Sequence, residues 1–271
     1  MTGFFRRLFG GGGKDGAGGG KPSRNPRAFD APLEIDPPTY AIGDVHGRDD
    51  LLARLLGTIE ADAAARGYGR DWRLVLMGDY VDRGEQSAQV LARIRGLLAG
   101  DSPAGETHAL RGNHEAMMAA FAETPEAGPR WLRNGGLQTM VSYGVGGVEL
   151  TREGADLTAS AAALAAAAAA DLKMIAELPV WLRFGSVLFS HAGADPDLPP
   201  DLQSERTLIW GTSRFFQGTR KDGLWCVYGH YIVDEAHVAQ GRVAVDTGAY
   251  HSGVLSAARL ETGAEPAFLT T

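Results

Sequence analysis

Short apolar runs recur along the chain, and each closes on small or polar residues. Tyr40-Ala41-Ile42 leads into Gly43-Asp44, Leu74-Val75-Leu76-Met77 into Gly78-Asp79, and Thr107-His108-Ala109-Leu110 into Arg111-Gly112-Asn113-His114. Further on, Val187-Leu188-Phe189 precedes Ser190-His191, Val227-Tyr228 precedes Gly229-His230, and Val243-Ala244-Val245 precedes Asp246. Such runs predict short buried strands. Between them, Asp49 to Ala65 carries Leu51, Leu52, Leu55, Leu56 and Ile59 at helical spacing, with Gly67 as its stop. Gln86 to Leu98 does the same with Val90, Leu91, Ile94 and Leu97. Strands alternating with helices predict a layered α/β domain whose strand exits converge on one edge.

Two stretches break this rhythm. Residues 1–38 combine Phe4-Phe5-Arg6-Arg7-Leu8-Phe9 with glycine tracts and end at Pro37-Pro38. This predicts a disordered tail and linker, with one folded domain over 39–271. The aromatic and basic start could make a weak contact with a membrane surface. Residues 116–178 predict a helical insertion, in which the alanine run makes 157–177 a single helix.

Composition narrows the function. At 271 residues, 44% hydrophobic and 22% charged, the chain has the makeup of a soluble globular protein. A net charge of -7 argues against nucleic acid as a partner, because backbone phosphates call for a basic surface. The single cysteine, Cys226, suits a small buried hydrophobe and a reducing, cytoplasmic compartment. No run reaches the roughly 18 apolar residues that span a bilayer.

The strand exits hold the candidate chemistry. Asp44, His46, Asp79, Asn113, His191 and His230 offer carboxylate, imidazole and amide donors without a thiolate. That donor set suits manganese, iron or zinc. A carboxylate has two oxygens and can bridge two ions, whereas an imidazole serves one. Each piece alone has an ordinary explanation as a turn or a core histidine, but their ordered recurrence after apolar runs does not. His108, His237 and His251 lack such surroundings and are assigned structural or solvated positions. Tyr80, Trp131, Tyr231 and Tyr250 could line a substrate groove or pack in the core.

Gly43-Asp44-Val45-His46-Gly47, Gly78-Asp79-Tyr80-Val81-Asp82-Arg83-Gly84, Arg111-Gly112-Asn113-His114-Glu115, Ser190-His191-Ala192-Gly193 and Gly229-His230 together resemble the ordered signatures of the PPP-type phosphatases. The likeness covers residues 40–260 and is greatest for the bacterial serine/threonine protein phosphatases. It implies the calcineurin-like fold, a central β-sandwich flanked by helices in four layers. Val245 to Tyr250 resembles the strand that closes the family's core.

Carried over, the resemblance implies two divalent metal ions, with manganese the first expectation. One would be held by Asp44, His46 and Asp79, the other by Asp79, Asn113, His191 and His230. It implies direct hydrolysis by a metal-activated water, with His114 as general acid and Asp82 as its partner. Arg83 and Arg111 resemble phosphate-binding arginines, and Arg214 is a candidate for a third. The implied substrates are phosphorylated proteins.

A dinucleoside polyphosphate hydrolase is the alternative, because it shares most signatures. That branch typically has alanine at the position of Asp82 and aspartate at that of Glu115. A silent phosphoprotein-binding relative is the remote alternative, although no ligand position is missing. The run Gly229-His230-Tyr231-Ile232 lacks the second histidine common in diesterases.

Overall fold

The computed structural model describes residues 29–146 and 154–271. The expectations for residues 1–28, including the surface contact, lie outside the described residues. Among the described residues, ten strands form two five-stranded sheets. The first has the order β10 (Ala267–Thr270), β9 (Ser256–Leu260), β1 (Thr39–Ile42), β2 (Arg73–Leu76) and β3 (Glu106–Ala109). The second has the order β4 (Trp181–Phe184), β5 (Val187–Ser190), β6 (Trp225–Tyr228), β8 (Arg242–Ala244) and β7 (His237–Ala239).

Side-chain alternation explains why the sheets stack. A strand sends successive residues to opposite faces. Ala41, Val75 and Met77 join Val187, Phe189, Val227 and Val243 in the core between the sheets. Their neighbours Tyr40, Ile42, Leu74 and Leu76 face the other way, into a helical layer. That layer includes α1 (Asp49–Ala65), α2 (Ser87–Gly96) and α3 (Asn113–Glu123). On the second sheet, Leu188, Cys226, Tyr228 and Ala244 face outward onto Leu208, Ile209 and Phe215. The result is four layers, helix, sheet, sheet and helix, as expected.

Strands β1, β2 and β3 run parallel, and so do β5, β6 and β8. Parallel strands leave a sheet at the same edge, so the motif residues that follow them gather together.

Some boundaries differ from the sequence reading. Ordered packing begins before Thr39: Leu33 and Ile35 are buried between the sheets, and Trp225 Nε1 donates to the Ala31 carbonyl at 3.1 Å. Two apolar side chains among the prolines suffice to dock this segment. The stretch 157–177 is two helices, α6 (Thr158–Ala167) and α7 (Ala169–Glu177), bent by 81° at Ala168. The alanines give helix propensity but no single apolar face. The bend allows Asp171 to accept from Arg95 and from Tyr143 Oη. β8 ends at Ala244, Val245 to Gly248 is a loop and Ala249–Ser252 a short helix, so β9 supplies the closing strand. Among the described residues no single helix is long and apolar enough to cross a membrane.

Candidate metal centre

The motif loops carry an unusual backbone. Among the described residues, His46, Asp79, Asp82, Arg83 and His230 all have positive φ, between 44° and 74°, and Gln240 is the one other non-glycine residue that does. Such conformations cost of order 1–3 kcal/mol each and persist only where surrounding bonds over-determine them. Glu115 supplies several of those bonds. Its buried carboxylate accepts from the backbone N–H groups of Asp79, Tyr80 and Gly112 at 2.9, 2.7 and 2.9 Å. The N–H groups of Val45 and His46 both donate to the Asp79 carbonyl, at 3.1 and 2.9 Å, tying the β1 exit to the β2 exit. Close approach also needs glycine, since a Cβ at Gly112 would collide with Asp79 and one at Gly229 with Asp44.

Asp79 stands at the centre. Its Oδ2 faces His46 Nε2 at 3.7 Å and His114 Nε2 at 3.8 Å, while Oδ1 faces His191 Nε2 at 3.3 Å. His46, Asp79 and His114 form one group of converging donors, and Asp79, His191 and His230 form another. Asn113 Oδ1 lies 3.0 Å from His191 Nε2. The outer nitrogens are committed elsewhere: His46 Nδ1 to the Val81 carbonyl at 2.8 Å and His191 Nδ1 to the Met77 carbonyl at 3.0 Å. Those bonds fix the rings and turn each Nε2 inward, as is usual for metal-binding imidazoles.

Asp44 is buried, and its Oδ1 has no hydrogen-bond partner, whereas Oδ2 accepts from the His230 N–H at 3.0 Å. An orphaned buried carboxylate oxygen costs several kcal/mol unless something else meets it. Together with the converging donors, it fits a divalent cation.

The electrostatics agree with that fit. Burial, with Asp246 and Asp79 nearby, holds the Asp44 carboxyl well above its usual range. Burial also acts to raise Asp79, but His191, His114 and His46 outweigh it and hold the group well below. Burial pushes His46 down to about 3 and His230 down to about 4, so both offer neutral imidazoles. This concentration of buried ionisable groups is what a positive ion would offset.

His114 is placed differently. Its Nδ1 lies 2.5 Å from Asp82 Oδ2. Burial opposes its protonation, but the Asp79 and Asp82 carboxylates prevail and raise its pKa. Asp82 is fully buried, and it accepts from Trp131 Nε1 at 2.8 Å and from Thr139 Oγ1 at 2.7 Å. Trp131 is thus a buried support of Asp82, and Tyr80 is buried as well, so neither lines a groove. The segment 116–178 therefore reaches the site from beneath, through α4 (Gly128–Trp131) and α5 (Leu137–Ser142).

Arg83 lies over the Tyr250 ring at 4.8 Å, with Nη2 3.3 Å from His114 Nε2. Arg111 bonds Glu205 at 2.8 Å. Arg214 is not brought to the cluster. Its exposed side chain pairs with Asp197 at 2.6 Å and Asp195 at 3.4 Å on the short helix α9 (Arg214–Gln217), an acidic surface that claims it first.

Sequence reasoning missed Trp131 and Thr139 as partners of Asp82, Glu115 as the tie of the loops, and Asp246 as a buried neighbour of Asp44. Asp246 had a signal, because it follows a strand like the others, but a lone aspartate there has too many ordinary explanations. Nothing in the spacing marks Thr139.

Comparison with known proteins agrees with this geometry. The model of the calcineurin-like phosphoesterase family matches residues 37–240. The chain belongs to that family. Members of that family are metallophosphoesterases, hydrolases that use divalent metal ions. Serine/threonine-protein phosphatase 2 of Escherichia coli (strain K12) is 24% identical over 80% of this chain and 90% of its own length. The symmetrical bis(5'-nucleosyl)-tetraphosphatase of Paracidovorax citrulli (strain AAC00-1) is 44% identical, over 31% of this chain. That match spans 25% of the tetraphosphatase's length.

Among solved structures, one described as a candidate diadenosine tetraphosphatase superposes with a TM-score of 0.58 at 17% identity, covering 89% of this chain and 98% of its own. A serine/threonine phosphatase from Saccharomyces cerevisiae gives 0.51 at 14% identity, covering 87% and 80%. At these identities the likeness concerns the fold.

Proposed function

We propose that this chain hydrolyses phosphate monoesters at a two-metal centre bridged by Asp79, and that its substrates are phosphoserine and phosphothreonine proteins. The observation that carries the reading is the division of the Asp79 carboxylate, one oxygen toward His46 and His114 and the other toward His191. Asp44, His46 and Asp79 would hold one ion, and Asp79, Asn113, His191 and His230 the other. Bound there, manganese or a similar divalent ion would supply Lewis acidity and a water of lowered pKa.

The residues of the chain would do the rest. Arg83 and Arg111 carry fork-shaped guanidinium groups suited to phosphoryl oxygens. His114 would donate the Nε2 proton to the departing alkoxide oxygen. Asp82 would hold the ring through Nδ1 and favour the imidazolium, and Trp131 and Thr139 would keep Asp82 in place and oppose the rise that burial gives its pKa.

The protein-phosphatase reading draws on Asp82, present here where the tetraphosphatase branch typically has alanine. The Escherichia coli phosphatase match, which runs along most of both chains, supports it too. Glu115 carries less weight, since its carboxylate is spent on backbone groups. The alternative, hydrolysis of dinucleoside polyphosphates, is favoured by the higher identity over the shorter tetraphosphatase match. A cytoplasmic setting accords with the lone, buried Cys226.

Two assays test these readings. Manganese-dependent release of p-nitrophenol from its phosphate ester is expected for the wild type, and loss for Asp79→Asn and His114→Ala. Equal activity in all three would refute the catalytic reading. Phosphopeptides are then compared with diadenosine tetraphosphate, and much faster cleavage of the dinucleotide would overturn the protein-phosphatase assignment.

A further inference from the structure

A pocket of about 530 Å³ is lined by Ala116, Arg130, Glu205, Arg206, Ile209 and Trp210. Its position is fixed from two sides. Ala116 lies on α3, directly after His114 and Glu115. Glu205 opens the helix α8 (Glu205–Trp210) and holds the Arg111 guanidinium at 2.8 Å. The pocket is therefore tied to the motif residues through α3 and through the Glu205–Arg111 pair.

Its charge is lopsided. The Glu205 carboxylate is engaged by Arg111, which leaves Arg130 and Arg206 as the pocket's remaining charged groups. Neither guanidinium meets a carboxylate among the described residues. Arg130 lies over the Trp210 ring at 4.4 Å. Stacking of this kind holds a guanidinium plane and leaves its N–H edges available. It also covers an aromatic face on which a nucleobase could otherwise stack. In a chain of net charge -7, two such cations attract an anionic group.

We infer that this pocket is a specificity subsite for an acidic side chain flanking the phosphorylated residue, with Arg130 and Arg206 binding its carboxylate. The inference rests on the protein-phosphatase reading above. It makes the enzyme selective for phosphoserine or phosphothreonine in acidic sequence, with the selectivity expressed mainly in KM.

The test uses a phosphothreonine peptide flanked by glutamates and the same peptide flanked by alanines. Wild type should favour the acidic peptide roughly tenfold in kcat/KM, as two partly exposed charge-assisted contacts would give. The preference should shrink as salt is added. The double variant Arg130→Gln/Arg206→Gln should lose it while turning over p-nitrophenyl phosphate like the wild type. Arg130→Lys in the Arg206 background should retain part of it.

Cleavage of both peptides at equal rates by wild type would overturn the subsite and leave the protein-phosphatase reading standing. So would a preference that survives in the double variant. Failure to cleave either peptide alongside rapid cleavage of diadenosine tetraphosphate would overturn both.

Discussion

The two sheets meet at one centre but bring different things to it. The exits of β1, β2 and β3 supply Asp44, His46, Asp79, Asn113 and His114, every one of them buried. The exits of β5 and β6 supply His191 and the more accessible His230, and β8 adds Asp246. Only the first sheet brings a buried histidine–carboxylate pair, His114 with Asp82, and the helices beneath its loops hand up Trp131 and Thr139 to that aspartate. The second sheet contributes donors and an open flank. The helical stretch thus buttresses the His114–Asp82 pair of the first half, while the second half contributes the more accessible His230.

Substitutions can break that division at graded cost. The largest loss is expected for Asp79→Asn, which weakens both halves at once. Its turnover of p-nitrophenyl phosphate should fall to near background, with bound metal falling in parallel. His114→Ala should retain metal but lose roughly a hundred- to ten-thousandfold in kcat. The loss should be smaller with p-nitrophenyl phosphate, whose leaving group needs little help from a proton, than with an alkyl phosphate ester. Equal losses with both esters would argue against the acid role.

Trp131→Phe removes one hydrogen bond to Asp82 and should cost about tenfold in kcat. His191, on the other sheet, should bind metal as before in that variant. The smallest effect concerns Cys226, whose thiol burial pushes up to about 11. Its thiolate is scarce at any pH below that value, so modification by a disulfide reagent at pH 8 should be slow in the native protein and complete after denaturation. Activity should survive Cys226→Ala.

Much of this division was written in the local sequence. Strand exits such as Ile42-Gly43-Asp44 and Met77-Gly78-Asp79 are visible because burial, backbone turning and donor chemistry fall within a few residues. The first-sheet helices were legible for a similar reason, since Leu51, Leu55 and Ile59 share one face. What escaped depends on long-range contact. Thr139 reaches Asp82 across 57 positions, and Glu115 ties the loop at Asp79 across 36. The 81° bend at Ala168 was hidden by the alanines around it, whose propensity says nothing about direction. Arg214 misled because its position in the motif was close, while its partners Asp195 and Asp197 came from elsewhere on the surface.

The most direct test of the central claim is metal content measured together with activity, in wild type and in Asp79→Asn, after chelation and stepwise return of manganese. A bridging Asp79 predicts that wild type regains p-nitrophenyl phosphatase activity as two ions bind per chain, and that Asp79→Asn regains neither the second ion nor the activity. Full activity in the chelated wild type, or two tightly held ions and normal turnover in Asp79→Asn, would contradict it.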